Sequence, residues 1–149
     1  MSETVRELIP ILQIAIGPVI LISGVGLLLL TMTNRLGRVV DRSRLLARER
    51  RQMEGAGRVR CDAQIAILVR RARLIRLAIL LAGSSVLLAS VLIIVLFLTA
   101  LLGLEDAWLI AALFVAGMLS LIGALVAFLL DINLSLVALE LEVAADSSG

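Results

Sequence analysis

Histidine, lysine and tyrosine are absent from this 149-residue chain, and cysteine and tryptophan occur once each. Without histidine there is no imidazole for general acid–base work near neutral pH, and none to ligate a metal. The lone Cys61 forms no intrachain disulfide and no thiolate cluster, and it has no histidine partner that would make it a nucleophile. Only 3% of the residues are aromatic. None of these lies among the arginines of residues 34–76, which speaks against base stacking and so against a nucleic-acid partner. No cofactor, metal or enzymatic activity is expected.

Charge is missing where the chain is most apolar. Residues 9–34, 77–104 and 107–130 contain no Asp, Glu or Arg, and each run exceeds the roughly 20 residues a helix needs to cross a bilayer. Hydrophobic residues make up 61% of the chain, more than a soluble surface at this size accommodates. The expectation is an all-α integral membrane protein, a single membrane domain over residues 1–149 with the bilayer as its first partner. The spans are 9–33, 77–102 and 107–130. A cleaved signal peptide is the rival reading of the first run. It would be shorter, and its basic residues would precede the apolar stretch instead of following it.

The net charge of +2 hides a segregation. Thirteen of the fourteen arginines lie between Arg35 and Arg76, against only four acids there: Asp41, Glu49, Glu54 and Asp62. Glu105 and Asp106 mark the turn between runs two and three, and the tail carries Asp131, Glu140, Glu142 and Asp146. Short arginine-rich loops stay cytoplasmic. This predicts a bacterial inner-membrane protein with its N-terminus outside, segment 34–76 inside, turn 103–106 outside and tail 131–149 inside. Trp108 fits an interfacial anchor beside the outer turn. All the basic residues are arginine, a usage that a GC-rich genome alone produces.

Residues 1–8 read as an outer tail, with Pro10 in the first turn of helix one and a kink at Gly17-Pro18. Nothing breaks the helix after Asn34. Leu36, Val39, Val40, Ser43, Leu46 and Ala47 keep helical spacing as far as a turn at 54–57. A second arm starts near Asp62 as N-cap, shows Ile65, Leu68, Val69, Ala72 and Ile75 as its stripe, and runs into helix two. Residues 34–76 are thus an antiparallel helical hairpin, each arm about 27 Å long at 1.5 Å per residue. The stretch 131–143 alternates like a strand, yet Ile132, Leu136, Leu139 and Val143 also match a helix. A lone strand would have no partner, so a continued helix is favoured, its acids facing the arginines in a three-helix bundle. Residues 145–149 read as a frayed end.

The run Ser23-Gly24-Val25-Gly26-Leu27-Leu28-Leu29-Leu30, followed by Asn34-Arg35-Leu36-Gly37-Arg38-Val39-Val40-Asp41-Arg42, resembles domain of unknown function 2721, a bacterial membrane-protein family. Arg70-Arg71-Ala72-Arg73-Leu74-Ile75 and Asp131-Ile132-Asn133-Leu134-Ser135-Leu136 resemble it too. The family often has Glu where Asp131 stands, a conservative departure. The likeness covers residues 8–142, and the Asn34–Arg38 block is its specific part. It implies three spans and supplies no activity.

Three constellations remain as candidate sites. On helix one, Gln13, Gly17, Gly24, Thr31, Arg35 and Arg38 fall within about 60° of one another at 100° per residue. Copies of that stripe would line a pore with an arginine ring at its mouth, favouring anions. Close helix packing uses the same small residues and is the commoner cause. On helix three, Ala112, Ala116, Ser120 and Ala124 form a small-residue ladder suited to helix association. Three helices make a thin bundle, so a homo-oligomer is expected. Finally Asn34, Arg35, Arg38, Asp41, Arg42, Arg73 and Asp131 gather where the helices leave the hydrocarbon. Asp41 is expected to reach Arg38 and Arg44, and Asp131 to pair near Arg73 and Arg76. The plainer account is that these residues touch water and anionic lipid headgroups. Two function classes follow. The first is a self-associating, non-enzymatic membrane component. The alternative is a small homo-oligomeric channel lined by helix one.

Overall fold

The structure, a computed structural model, describes the backbone of residues 2–103 and 107–146, and the side chains of 9–10, 12–103 and 107–135. It is all-α. Helix α1 spans Ser2–Glu49, a short 3-10 turn Arg50–Gln52 follows, α2 spans Ala56–Leu102 and α3 spans Ala107–Asp146. Three stretches are long and apolar enough to cross a membrane: Leu12–Gln52, Ala56–Leu102 and Ala107–Ser135. At 1.5 Å per residue, α1 and α2 each run to about 70 Å, more than twice the ~30 Å of hydrocarbon. A large part of each therefore belongs outside any bilayer that the apolar part crosses.

The helix starts differ from the sequence reading. Helix α1 begins at Ser2, so Pro10 and Pro18 both lie inside it. Each proline withholds one bond, from the carbonyls of Arg6 and Ile14 respectively, and the helix runs on through both. Helix α2 begins at Ala56, six residues before the expected cap at Asp62. The break is narrower because Gly55 alone takes the left-handed turn, at φ +63°, and Gly57 is already helical. Asp62 is then an interior residue that pairs with Arg50 across the turn, both side chains nearly half exposed. Helix α3 continues without a break past Asp131 to Asp146, so the alternating tail is helix and not strand. Of the end expected to fray, 145–149, residues 145 and 146 are still helix; residues 147–149, the acids Glu105 and Asp106, and the side chains of Leu136, Leu139, Glu140, Glu142 and Val143 lie outside the described residues.

The packed faces follow a three-four alternation. On α1 the buried positions are Ala15, Val25, Met32, Val39 and Leu46, and half-buried Pro18, Ile22, Leu29, Leu36 and Ser43 fall between them, flanked by half-buried Leu21, Leu28, Arg35, Val40 and Glu49. On α3 they include Gly117, Ser120, Ala124, Ala127 and Asp131. A spacing averaging 3.5 keeps one seam facing a neighbouring helix. The expected ladder at 112, 116, 120 and 124 advances 40° per step and walks off that seam. Ser120 and Ala124 lie on the packed side, Ala112 is half-buried and Ala116 is exposed.

The chain divides into two compact units. One comprises Met1–Leu30 and Leu80–Gly123, the other Thr31–Ile79 and Ala124–Gly149. In the first, the buried side chains are mostly small: Ala15, Ala82, Ser85 and Ala89, with Val25 and Leu92. Ser120 donates to the Leu81 carbonyl at 2.8 Å, and Gly117 lies close beside Leu88. In the second, Met32, Val39, Ile75, Ala78 and Ala127 form one core, with Leu36, Leu68 and Phe128 against it. At the far end of that unit the Cys61 thiol is buried and donates to the Leu46 carbonyl at 3.3 Å. At most 17% of the residues in the most apolar window of each span are buried within the chain. The rest are half-buried or exposed, with Ile20, Leu27, Leu87 and Leu101 among the most exposed large apolar side chains.

Candidate functional site

The unit of Thr31–Ile79 and Ala124–Gly149 contains the molecule's most unusual side chain. Asp131 on α3 is fully buried. A buried carboxylate without partners would cost several kcal/mol, so the fold must supply cations. Two arrive, from different helices. Arg71 of α2 donates from Nε to Asp131 Oδ1 at 3.3 Å. Arg35 of α1 brings Nη2 to 3.2 Å from Asp131 Oδ2. The second contact has ion-pair distance but lacks hydrogen-bond alignment, which leaves Oδ2 with Coulomb attraction and no directed bond.

Ser135 completes the arrangement one turn further along α3. Its hydroxyl donates to the Asp131 carbonyl at 2.9 Å and accepts from Arg35 Nη2 at 3.3 Å. Arg71 Nη2 also donates to it. The Arg35 guanidinium stands over the Phe128 ring, 5.3 Å from its centre, within cation–π range. One carboxylate, one hydroxyl and one ring from α3 thus hold an arginine from each of the other two helices.

Helical phase explains which arginines take part. Arg71 lies four residues before the buried Ile75, about 40° around the helix from it. Arg73 and Arg76 are about 160° and 100° away. Arg35 lies four residues before the buried Val39. The sequence reading placed Arg73 and Arg76 beside Asp131 by depth alone. The arginine on α2 that meets the carboxylate is Arg71, and Ser135 was not foreseen. Phase against Ile75 would have picked out Arg71, and the four-residue step from Asp131 would have picked out Ser135.

Around this clamp the other expected residues separate. Arg35, Arg38, Arg42 and Arg71 line a cleft of about 410 Å³ with Val39, Leu68 and Ser135. Arg73 instead lines a second cleft of about 450 Å³, with Arg70, Asn133, Leu74, Leu130 and Leu134. Asn34 and Asp41 are exposed. Arg38, Asp41 and Arg44 are all exposed, and among the described residues Asp41 makes no ion pair with either arginine. Thr31, at the start of this unit on α1, is exposed, and in the other unit Gln13, Gly17 and Gly24 are exposed too, with nothing within 4 Å of where a Cβ would sit on Gly17 or Gly24. Gly17 also borders a small apolar cavity of about 210 Å³, lined by Pro18, Ser85, Leu92 and Phe114 among others.

No curated protein and no solved structure matches the chain. One family model does, described as "Protein of unknown function (DUF2721)", over residues 15–141. The match takes in most of α1, all of α2 and most of α3, with both clamp arginines, Asp131 and Ser135 inside it. The chain, built on three helices long and apolar enough to span a membrane, belongs to that family of unknown function.

Proposed function

We propose that this protein is a self-associating, non-enzymatic component of the bacterial inner membrane. In this reading it has its N-terminus outside and its C-terminus in the cytoplasm, where the arginine hairpin 34–76 also lies. The arginine distribution supports the orientation, since thirteen cluster between the first two spans. The observation that carries self-association is the face of α1 bearing Gln13, Gly17, Gly24 and Thr31. It is exposed, and open space lies over both glycines. Membrane helices associate through faces of small residues that let backbones approach. The Asp131 clamp suits a scaffold: its carboxylate is sealed from solvent and held by two arginines, an arrangement that fixes helices more readily than it turns over a substrate.

The test is the mass of the full chain in mild detergent and in nanodiscs. A defined oligomer is expected, and Gly24→Leu should return it to a single chain with unchanged helicity. A wild-type protein that runs as a single chain in both media defeats the proposal.

The second reading is a homo-oligomeric channel lined by α1. It draws on the polar Gln13 and Thr31 within the same exposed face, continued by Arg35 and Arg38. Water-soluble thiol reagents should then modify Gly24→Cys and Thr31→Cys much faster than Leu27→Cys. The native Cys61 is buried and adds little background. Equal protection at all three positions counts against a pore.

A further inference from the structure

The clamp leaves charge over. Four guanidiniums line the cleft of Arg35, Arg38, Arg42 and Arg71, while Asp131 is the one carboxylate paired with any of them among the described residues. Among the described residues, four positive charges less one negative leave three without a paired carboxylate. Arg35, Arg38 and Arg42 are spaced three and four apart, so they share a face of α1, where like charges repel. Arg71 adds a fourth from α2. Arg38 and Arg42 are exposed, and neither has an ion-pair or hydrogen-bond partner among the described residues.

We propose that this cleft binds a phosphate group, carried either by a lipid headgroup or by a free phosphate. The chemistry follows from the donors. A guanidinium offers five N–H groups in a planar fork that matches phosphate oxygens in pairs. A planar carboxylate is already served by two arginines, as Asp131 shows. Forks converging from two helices suit a tetrahedral oxyanion with more oxygens and more charge. Ser135 Oγ borders the same cleft but is engaged with Arg35 and Arg71, so it steadies the donors. About 410 Å³ lies within the range of ligand clefts, roughly 300–1,000 Å³. Arg35 and Arg71 are preorganised by Asp131, which lowers the ordering cost of binding. This site needs only one chain and stands whether or not copies of the chain associate.

The test uses the full chain, delipidated in a non-ionic detergent, with calorimetric titration of inorganic phosphate and of short-chain phosphatidic acid. Arg38→Gln/Arg42→Gln removes two lining donors and leaves the Asp131 clamp intact, so its melting temperature should match wild type. Arg58→Gln/Arg60→Gln removes the same charge from exposed positions outside the cleft and is the control. The cleft variant should lose ~10-fold or more in affinity, and the control no more than about twofold. Binding of both ligands assigns the site to the phosphate alone, and binding of phosphatidic acid only assigns it to a headgroup. Equal losses in the two variants would reduce the effect to general charge and overturn the proposal, as would absence of binding by both ligands.

Discussion

In the unit of Met1–Leu30 and Leu80–Gly123 the buried side chains are small and uncharged, and helices are held by approach: Gly123 leaves only 3.2 Å between a hypothetical Cβ and the Leu81 methyl. In the unit of Thr31–Ile79 and Ala124–Gly149 the core includes Met32 and Ile75, and the three helices are tied by two arginines on one sealed carboxylate. The same three helices thus pass through two packing regimes. The first suits hydrocarbon, where burying apolar groups gains nothing over lipid and close fit must do the work. The second suits a wetter surround, where hydrophobic burial stabilises and a charged cluster is served at its edges by water.

Removing the clamp should damage the second unit most. Asp131→Ala leaves Arg35 and Arg71 facing each other, half-buried, with no carboxylate between them. Breaking a buried pair from one side costs about 3–5 kcal/mol. Reversible unfolding in detergent should show that loss. Adding Arg71→Gln to Asp131→Ala should recover part of it, because one uncompensated charge goes. If Asp131→Ala melts with wild type, charge does not tie the helices and the contrast between the units fails.

Overfilling should damage the first unit next. Gly123→Leu puts a branched side chain where even a Cβ crowds Leu81, and overpacking of this kind costs about 1–3 kcal/mol. The same change at Gly26, with open space around it, should leave stability within about 0.5 kcal/mol. Thermal melts of the two variants side by side measure how much of this unit depends on close approach. Equal melts would mean that it does not.

Much of this was legible beforehand, and the physics says which part. Long charge-free runs favour helices long enough to cross a membrane whatever their neighbours do, so the three helices, and the unbroken run of α1 and α2 past their apolar parts, could be read directly. The strand-like tail after Asp131 could be resolved too, because a strand without a partner leaves its backbone unsatisfied. The partners of Asp131 were harder. Depth along the helix suggested Arg73 and Arg76, but a side chain must also point the right way, and only phase relative to the buried Ile75 separates Arg71 from its neighbours. Phase also divides the small residues of α3, with Ser120 and Ala124 on the packed side and Ala116 exposed. Regular four-residue spacing looks like a face, yet it rotates away from a seam that repeats every 3.5 residues. Composition marks which residues belong near a boundary, and helical phase decides which of them meet.

The smallest effects separate a hydroxyl that holds helices from one that is merely enclosed. Ser120 donates across to the Leu81 carbonyl at 2.8 Å, while Ser84, Ser90 and Thr99 return their hydroxyls to carbonyls of their own helix. Interhelical hydrogen bonds in membranes average only about 0.6 kcal/mol, because the separated helices find other partners. Ser120→Ala should cost about that much. Ser85 is more deeply buried than Ser120, but its hydroxyl has no hydrogen-bond partner among the described residues, and it borders the apolar cavity beside Pro18. An unsatisfied buried hydroxyl is a cost the folded state carries, so Ser85→Ala should be neutral or slightly stabilising. Chemical denaturation in mixed micelles resolves differences of this size when both variants are measured in one series. A larger loss for Ser85→Ala than for Ser120→Ala would show that the enclosed hydroxyl is bonded and that close fit is not the only device holding this unit.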